Sequence, residues 1–159
     1  MGFALSDMQL TSAAFEQGGP IPSKHTGEGE DSSPALSWSG APEGTKAFAV
    51  ICHDPDAPLV TPAGTYGFVH WVLYNIPGSV TALPEGSSEF TNGTNDFGNQ
   101  AYGGPMPPNG HGRHHYYYWI LALNEVIDLD PGLTMWQLLE RIEPSLIGMN
   151  RLLGTYERA

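Results

Sequence analysis

The chain has 159 residues, with six Lys+Arg against seventeen Asp+Glu and a formal net charge of −11. That balance repels nucleic acid and anionic lipid surfaces over long range and argues against DNA or RNA as a partner. No run of eighteen apolar residues occurs, so no transmembrane helix is expected, and twenty Gly with fourteen Pro suit a loop-rich β protein better than a helical bundle.

In chain order, the opening MGFALSDMQL lacks a basic region followed by a long apolar core, so no secretory signal is read and a cytoplasmic location is expected. Gly2 with Ser6 matches the bare myristoylation pattern, which is short and common. Gly18-Gly19-Pro20 and Gly27 to Asp31 read as loops, and Ala35 to Trp38 as a short strand. Lys46 to His53 is a stronger strand. Phe48, Val50 and Cys52 share one of its faces, with Asp54 following on that face at the strand end. Cys52 is the single cysteine, so no internal disulfide can form, and on a strand it reads as a small buried hydrophobe.

Gly67 to Asn75 predicts another strand. Strict alternation puts Phe68, His70, Val72 and Tyr74 on one face and Val69, Trp71 and Leu73 on the other. Both faces are apolar, so the strand is expected to be central and covered on both sides. Asn92-Gly93-Thr94 fits the glycosylation pattern, but without a secretory signal it reads as a turn. His115 to Leu123 repeats the strand logic: His114, Tyr116 and Tyr118 point one way, His115, Tyr117 and Trp119 the other. Thr134-x-x-Gln137 is a capping-box signature, and Met135, Leu138, Leu139 and Ile142 follow helical spacing. Pro144 ends that helix or opens a second short one, and Arg151 to Arg158 is expected to return as an edge strand. Short strands with turn signals, and helix only late, predict a mainly β protein: an antiparallel β-sandwich or barrel with short peripheral and C-terminal helices, in one domain spanning 1–159.

Three segments place polar groups beside strong strands. His53-Asp54-Pro55-Asp56-Ala57-Pro58 holds two carboxylates in a proline-stiffened backbone. His70 is a histidine inside an apolar strand. Gly103 to Gly112 is a Gly/Pro-rich loop leading to His114 and Tyr116. Taken singly, these read equally as a capped turn, a satisfied core histidine and an ordinary loop, and the three tyrosines as core or interface packing. Taken together they point to a pocket, because a sandwich collects its loops at two ends.

These stretches resemble the phosphatidylethanolamine-binding protein family, in its bacterial and archaeal Raf-kinase-inhibitor-like branch. The resemblance rests on Ser33 to Trp38, Asp54-Pro55-Asp56-Ala57-Pro58, Phe68 to Val72, Asn95-Asp96-Phe97-Gly98, and Tyr102 to Pro105 through His114-His115-Tyr116, in order and spacing over nearly the whole chain. It implies a β-sandwich with an anion pocket at one end. It also implies that Asp54 and Asp56 are the pocket acids, with Ala57 and Pro58 shaping the wall. His70 and His114 become the pocket histidines, Tyr116 supplies a hydroxyl, and Gly104 and Pro105 bring backbone close to the ligand. Two departures stand out: the residue after the second pocket histidine, usually Arg, is His115, and His111 is not a fixed feature of the family. The long C-terminal helix that gates the pocket in animal members is absent or shorter here.

The resemblance makes the chain a non-enzymatic binder of a small phosphate-type anion or phospholipid headgroup, without cofactor or metal. It adds a regulatory role toward a kinase or protease and a homodimer in which the tyrosines and Trp119 take part. Two aspartates disfavour an anion unless a proton intervenes, on His70 or His114, on an Asp, or on the phosphate itself. The alternative from another class is a metal-dependent hydrolase using Asp54, Asp56, His70, His111 and His114 as oxygen and nitrogen ligands. No HExxH pattern supports it, and no GxSxG elbow marks a serine nucleophile.

Overall fold

In chain order the elements are β1 (Gln9–Thr11), β2 (Gly19–Pro20), β3 (Leu36–Ser39), β4 (Ala47–Asp54), β5 (Phe68–Pro77), β6 (Ala82–Leu83), β7 (Thr91–Asn92), β8 (His114–Leu123), α1 (Met135–Ile142) and β9 (Leu146–Tyr156). They come from a computed structural model that describes residues 4–57 and 67–159. Six strands form one sheet in the order β2-β9-β8-β4-β5-β7, and β1-β3-β6 form a second. Pairing is antiparallel throughout these sheets except where β2 runs parallel to β9. The mainly β sandwich expected from the sequence is what forms.

Period-2 alternation explains how each long strand serves two cores. Phe48, Val50 and Cys52 of β4 join Tyr116, Tyr118, Ile120 and Ala122 of β8 and pack with Leu10, Leu36 and Trp38 of the small sheet. Ala47, Ala49 and Ile51 face the other way, with Leu121 and Leu123, against Leu138 and Ile142 of α1. Fully burying one such Leu or Ile stabilises the fold by roughly 1.5–3 kcal/mol.

The helix begins as its capping box predicts. Gln137 N donates to Thr134 Oγ1 at 3.3 Å and the Thr134 backbone N–H donates to Gln137 Oε1 at 3.0 Å. It stops at Ile142, and Pro144 lies inside a following 3-10 turn, Glu143–Ser145.

Two expectations are corrected. The last strand starts earlier than Arg151 and is not an edge: β9 runs over eleven residues between β8 and β2. The Ser6 backbone N–H also donates to Met149 O at 2.9 Å, so the N-terminal segment covers part of its outer side. The face assignment on β5 also fails. Cys52 pairs with Trp71 but His53 pairs with Val69, which leaves His70 as an extra residue, a β-bulge. Trp71 and Leu73 therefore enter the inter-sheet core together with the His70 side, whereas Val69, Val72 and Tyr74 lie under α1.

Candidate functional site

Strand ends build the site. Asp54 follows Phe48, Val50 and Cys52 onto the inter-sheet side, at the C-terminal end of β4. Its Oδ1 accepts the Asp56 backbone N–H at 2.7 Å, an Asx-type turn that fixes the carboxylate. Its Oδ2 accepts from His114 Nδ1 at 2.7 Å, with both side chains buried. His114 opens β8, and Tyr116 comes two residues later on the same face. The bulge on β5 adds His70, whose ring meets that of Tyr116 at 5.2 Å and 72°. His70 Nδ1 lies 2.7 Å from Gly103 O. A carbonyl only accepts, so Nδ1 carries the hydrogen and Nε2 of the neutral ring is a lone pair.

These four side chains share a cavity of about 210 Å³ whose remaining lining among the described residues is apolar: Ala57, Phe68, Phe97, Met106, Pro107 and Pro108. The Tyr116 hydroxyl is buried there and has no hydrogen-bond partner among the described residues. Burial, and next the Asp54 charge, push its ionisation up, so it stays a neutral donor. Burial pushes the His70 pKa down to about 4, against the opposing pull of the Gly103 hydrogen bond and of Asp54. A larger groove of about 450 Å³ along β1 and β9 is lined by no histidine among the described residues.

The other sequence-nominated residues fall around this set. Asp56 turns outward: its Oδ2 takes the His115 backbone N–H at 2.7 Å and His115 Nδ1 at 2.6 Å, and both side chains are 41% exposed. Ala57 lines the cavity, and Pro58 lies outside the described residues. Gly104 and Pro105 stand behind the wall. Gly104 N donates to Asp31 Oδ1 at 2.7 Å, and Pro105 O accepts from Gly27 N at 2.9 Å. A Cβ on Gly104 would collide with the His25 carbonyl oxygen, so glycine is what lets these two loops touch.

His111 is exposed, and its Nδ1 is 2.7 Å from His114 Nε2. Asp54, His114 and His111 therefore bond to one another in a row instead of converging on a common point. Among the described residues no group of three or more His, Cys, Asp or Glu is arranged to hold a metal.

A family model described as phosphatidylethanolamine-binding protein matches residues 11–157. The chain belongs to the phosphatidylethanolamine-binding protein family. It is 40% identical to a UPF0098 protein of Methanothermobacter thermautotrophicus, over 95% of this chain and 99% of that one. The crystal structure of a phosphatidylethanolamine-binding protein homologue, CT736 of Chlamydia trachomatis, superposes with a TM-score of 0.86 at 39% identity, covering 96% of this chain and 98% of that one. YbcL of Escherichia coli, described as a member of the mammalian family, gives 0.86 at 34% identity over 97% and 100%. Carboxypeptidase Y inhibitor, solved with its cognate proteinase, gives 0.56 at 16% identity over 96% and 83%, a likeness of fold alone.

Sequence reading of this family member missed the apolar rim. Phe68 and Phe97 pack edge to face at 4.7 Å, and Met106, Pro107 and Pro108 close the opposite wall. The signal for Phe97 lay in Asn95-Asp96-Phe97-Gly98, since Asn95 Oδ1 accepts from both Phe97 N and Asn99 N at 3.0 Å and so shapes the loop that presents the ring. No helix among the described residues is long and apolar enough to cross a membrane.

Proposed function

We propose that this family member is a non-enzymatic binding protein that takes a small phosphate-type oxyanion, free or on a phospholipid headgroup, into the cavity of Asp54, His70, His114 and Tyr116. The observation that carries this reading is the Tyr116 hydroxyl, a buried donor with no partner among the described residues in a cavity large enough for a phosphoryl group. Family membership supports it independently.

Among the described residues no Lys or Arg lines the cavity, and the Asp54 carboxylate does. A fully ionised phosphate is therefore disfavoured, and the ligand enters carrying a proton. Its P–OH donates to the lone pair of His70 Nε2, and a P–O⁻ oxygen accepts from Tyr116 Oη–H. Asp56, Gly104 and Pro105 hold the backbone around this set, and Ala57 with the two phenylalanines excludes water from the rim. A ligand carrying an apolar group beside the phosphoryl gains area against that rim.

Calorimetric titration with inorganic phosphate and with phosphoethanolamine, on the wild type and on Tyr116→Phe, tests the reading. Binding of either ligand by the wild type, weakened about tenfold in the variant, is expected from the loss of one hydrogen bond to a charged group. Tighter binding of phosphoethanolamine assigns the headgroup as the source, and equal binding assigns free phosphate. Absence of binding between pH 5.5 and 7.5, or equal affinity in the variant, overturns it.

A further inference from the structure

His111 does not line the cavity, yet it decides what His114 can offer there. His114 Nδ1 lies 2.7 Å from Asp54 Oδ2, and a carboxylate only accepts, so that nitrogen carries the hydrogen. In the neutral ring Nε2 is then a lone pair, and the nitrogen 2.7 Å from it, His111 Nδ1, is the donor. With His114 Nε2 taken up by His111, the cavity floor in this state presents acceptors at the Asp54 carboxylate and at His70 Nε2.

One added proton reverses the second bond. The proton enters at His111 Nε2, the His111 Nδ1 hydrogen passes to His114 Nε2, and His114, now an imidazolium, donates Nε2–H to His111 Nδ1 and Nδ1–H to Asp54, so both bonds are charge-assisted. The Asp54 charge is thereby cancelled. A second proton would put two imidazolium rings in contact and is opposed by their repulsion. We propose that His111 and His114 form one proton-binding unit, one proton held between two imidazoles, and that His111 is a positioning residue that sets the charge His114 presents to the cavity. The proton sharing stands on the geometry alone, and its consequence for oxyanion affinity rests on the function proposed above.

Charged groups stand on every element around the pair: Arg158 Nη1 donates to Pro107 O on the loop that carries His111, and Arg158 Nε lies 3.3 Å from Glu28 Oε2. Asp54 of β4 faces the pair directly. His70 of β5 faces Tyr116, which follows His114 on β8, and Tyr156 of β9 stands opposite His114 in the sheet. Asp56 Oδ2 is hydrogen-bonded to His115 Nδ1 nearby, and Arg113 is matched by Glu157 at 3.9 Å on the exposed surface. Among the described residues no other carboxylate makes a hydrogen bond or ion pair to either ring.

Nitrogen-15 NMR of the imidazole rings from pH 4.5 to 8.5, on the full chain, tests the unit, with inorganic phosphate absent and then present. In the wild type His111 and His114 are expected to titrate in a common step that takes up one proton. His111→Leu, a substitution on an exposed loop, removes the acceptor and lowers the His114 midpoint by about one unit, roughly tenfold in proton affinity. His111→Asn, whose Oδ1 stands where Nδ1 stood, restores most of it. The pH at which phosphate affinity falls off is expected to follow the His114 midpoint in each variant. Independent titration of the two rings in the wild type, or an unchanged His114 midpoint in His111→Leu, overturns the proposal. A shared step in a wild type that binds no phosphate at any pH supports the unit and overturns the oxyanion reading instead.

Discussion

His70 Nδ1 donates to Gly103 O at 2.7 Å, a bond between residues thirty-three apart, and the Gly103 backbone N–H returns a bond to His70 O at 3.0 Å. This reciprocal clasp fixes both the ring and its tautomer. Because burial holds the His70 pKa near 4, the folded protein resists a proton that the unfolded chain accepts near 6.5.

The sign follows from which state binds more protons. Between pH 6.5 and 4 the unfolded state does, so His70 erodes stability as the pH falls through that window and has no such effect above it. The full loss corresponds to roughly 3 kcal/mol. His70→Gln, which cannot titrate, is expected to lose less stability than the wild type between pH 7 and 4, measured by urea midpoints at each pH. Parallel curves for the two proteins would refute this.

Tyr116→Phe separates stability from binding. The hydroxyl it removes is buried and unpaired, so thermal stability without ligand is expected to hold or to rise by about 1 kcal/mol while phosphate affinity falls. A variant that melts several degrees lower would show that the hydroxyl is satisfied in the free protein.

Phosphate affinity is expected to rise as the pH falls from about 7 to about 5, the range in which a phosphate monoester dianion takes up a proton. Calorimetry in buffers of different ionisation enthalpy reads the protons taken up. Affinity that is flat across this range contradicts the requirement for a protonated ligand.

Tyr74 works on the opposite face of the sheet. Its hydroxyl donates to Asp130 O at 2.6 Å and accepts from Leu133 N at 3.1 Å, tying the segment before α1 to β5. Tyr74→Phe is expected to cost about 1–3 kcal/mol by leaving both backbone groups unpaired, with phosphate affinity unchanged. Denaturant midpoints and calorimetry on the same variant check both halves.

Asn95 couples the two properties. Its amide donates to Ala101 O at 2.8 Å and its carbonyl accepts from Phe97 N and Asn99 N at 3.0 Å, all within the loop that carries Phe97 to the cavity rim. Asn95→Ala is expected to destabilise by roughly 2–4 kcal/mol and to weaken phosphate binding as well. Loss of stability with full affinity would mean that the rim is positioned by other contacts.

The sequence was most informative where alternation is unbroken. Phe48-Val50-Cys52 and His114-Tyr116-Tyr118 each keep period 2, so their inward faces, and with them Asp54, His114 and Tyr116, could be placed before any coordinates. The helix was legible because Thr134 and Gln137 cap it by a local rule. The outward turn of Asp56 was hidden because its partner, His115, is brought to it only by the meeting of β4 and β8. The start of β9 was hidden because Gly148 and Asn150 interrupt its apolar pattern, and the strand is held by pairing with β8 instead. The apolar rim stayed hidden because Phe97, Met106 and Pro107 lie on loops, where side-chain direction follows no period.

The surplus residue in β5 sets a limit on how this strand tolerates length change. Excising one residue near His70 would restore the simple zigzag, and the imidazole and the indole beside it could no longer both enter the space between the sheets. Either the cavity would lose its acceptor or the core would lose Trp71. A point substitution leaves this register intact, whereas a single-codon deletion shifts it and forfeits either the imidazole or the indole.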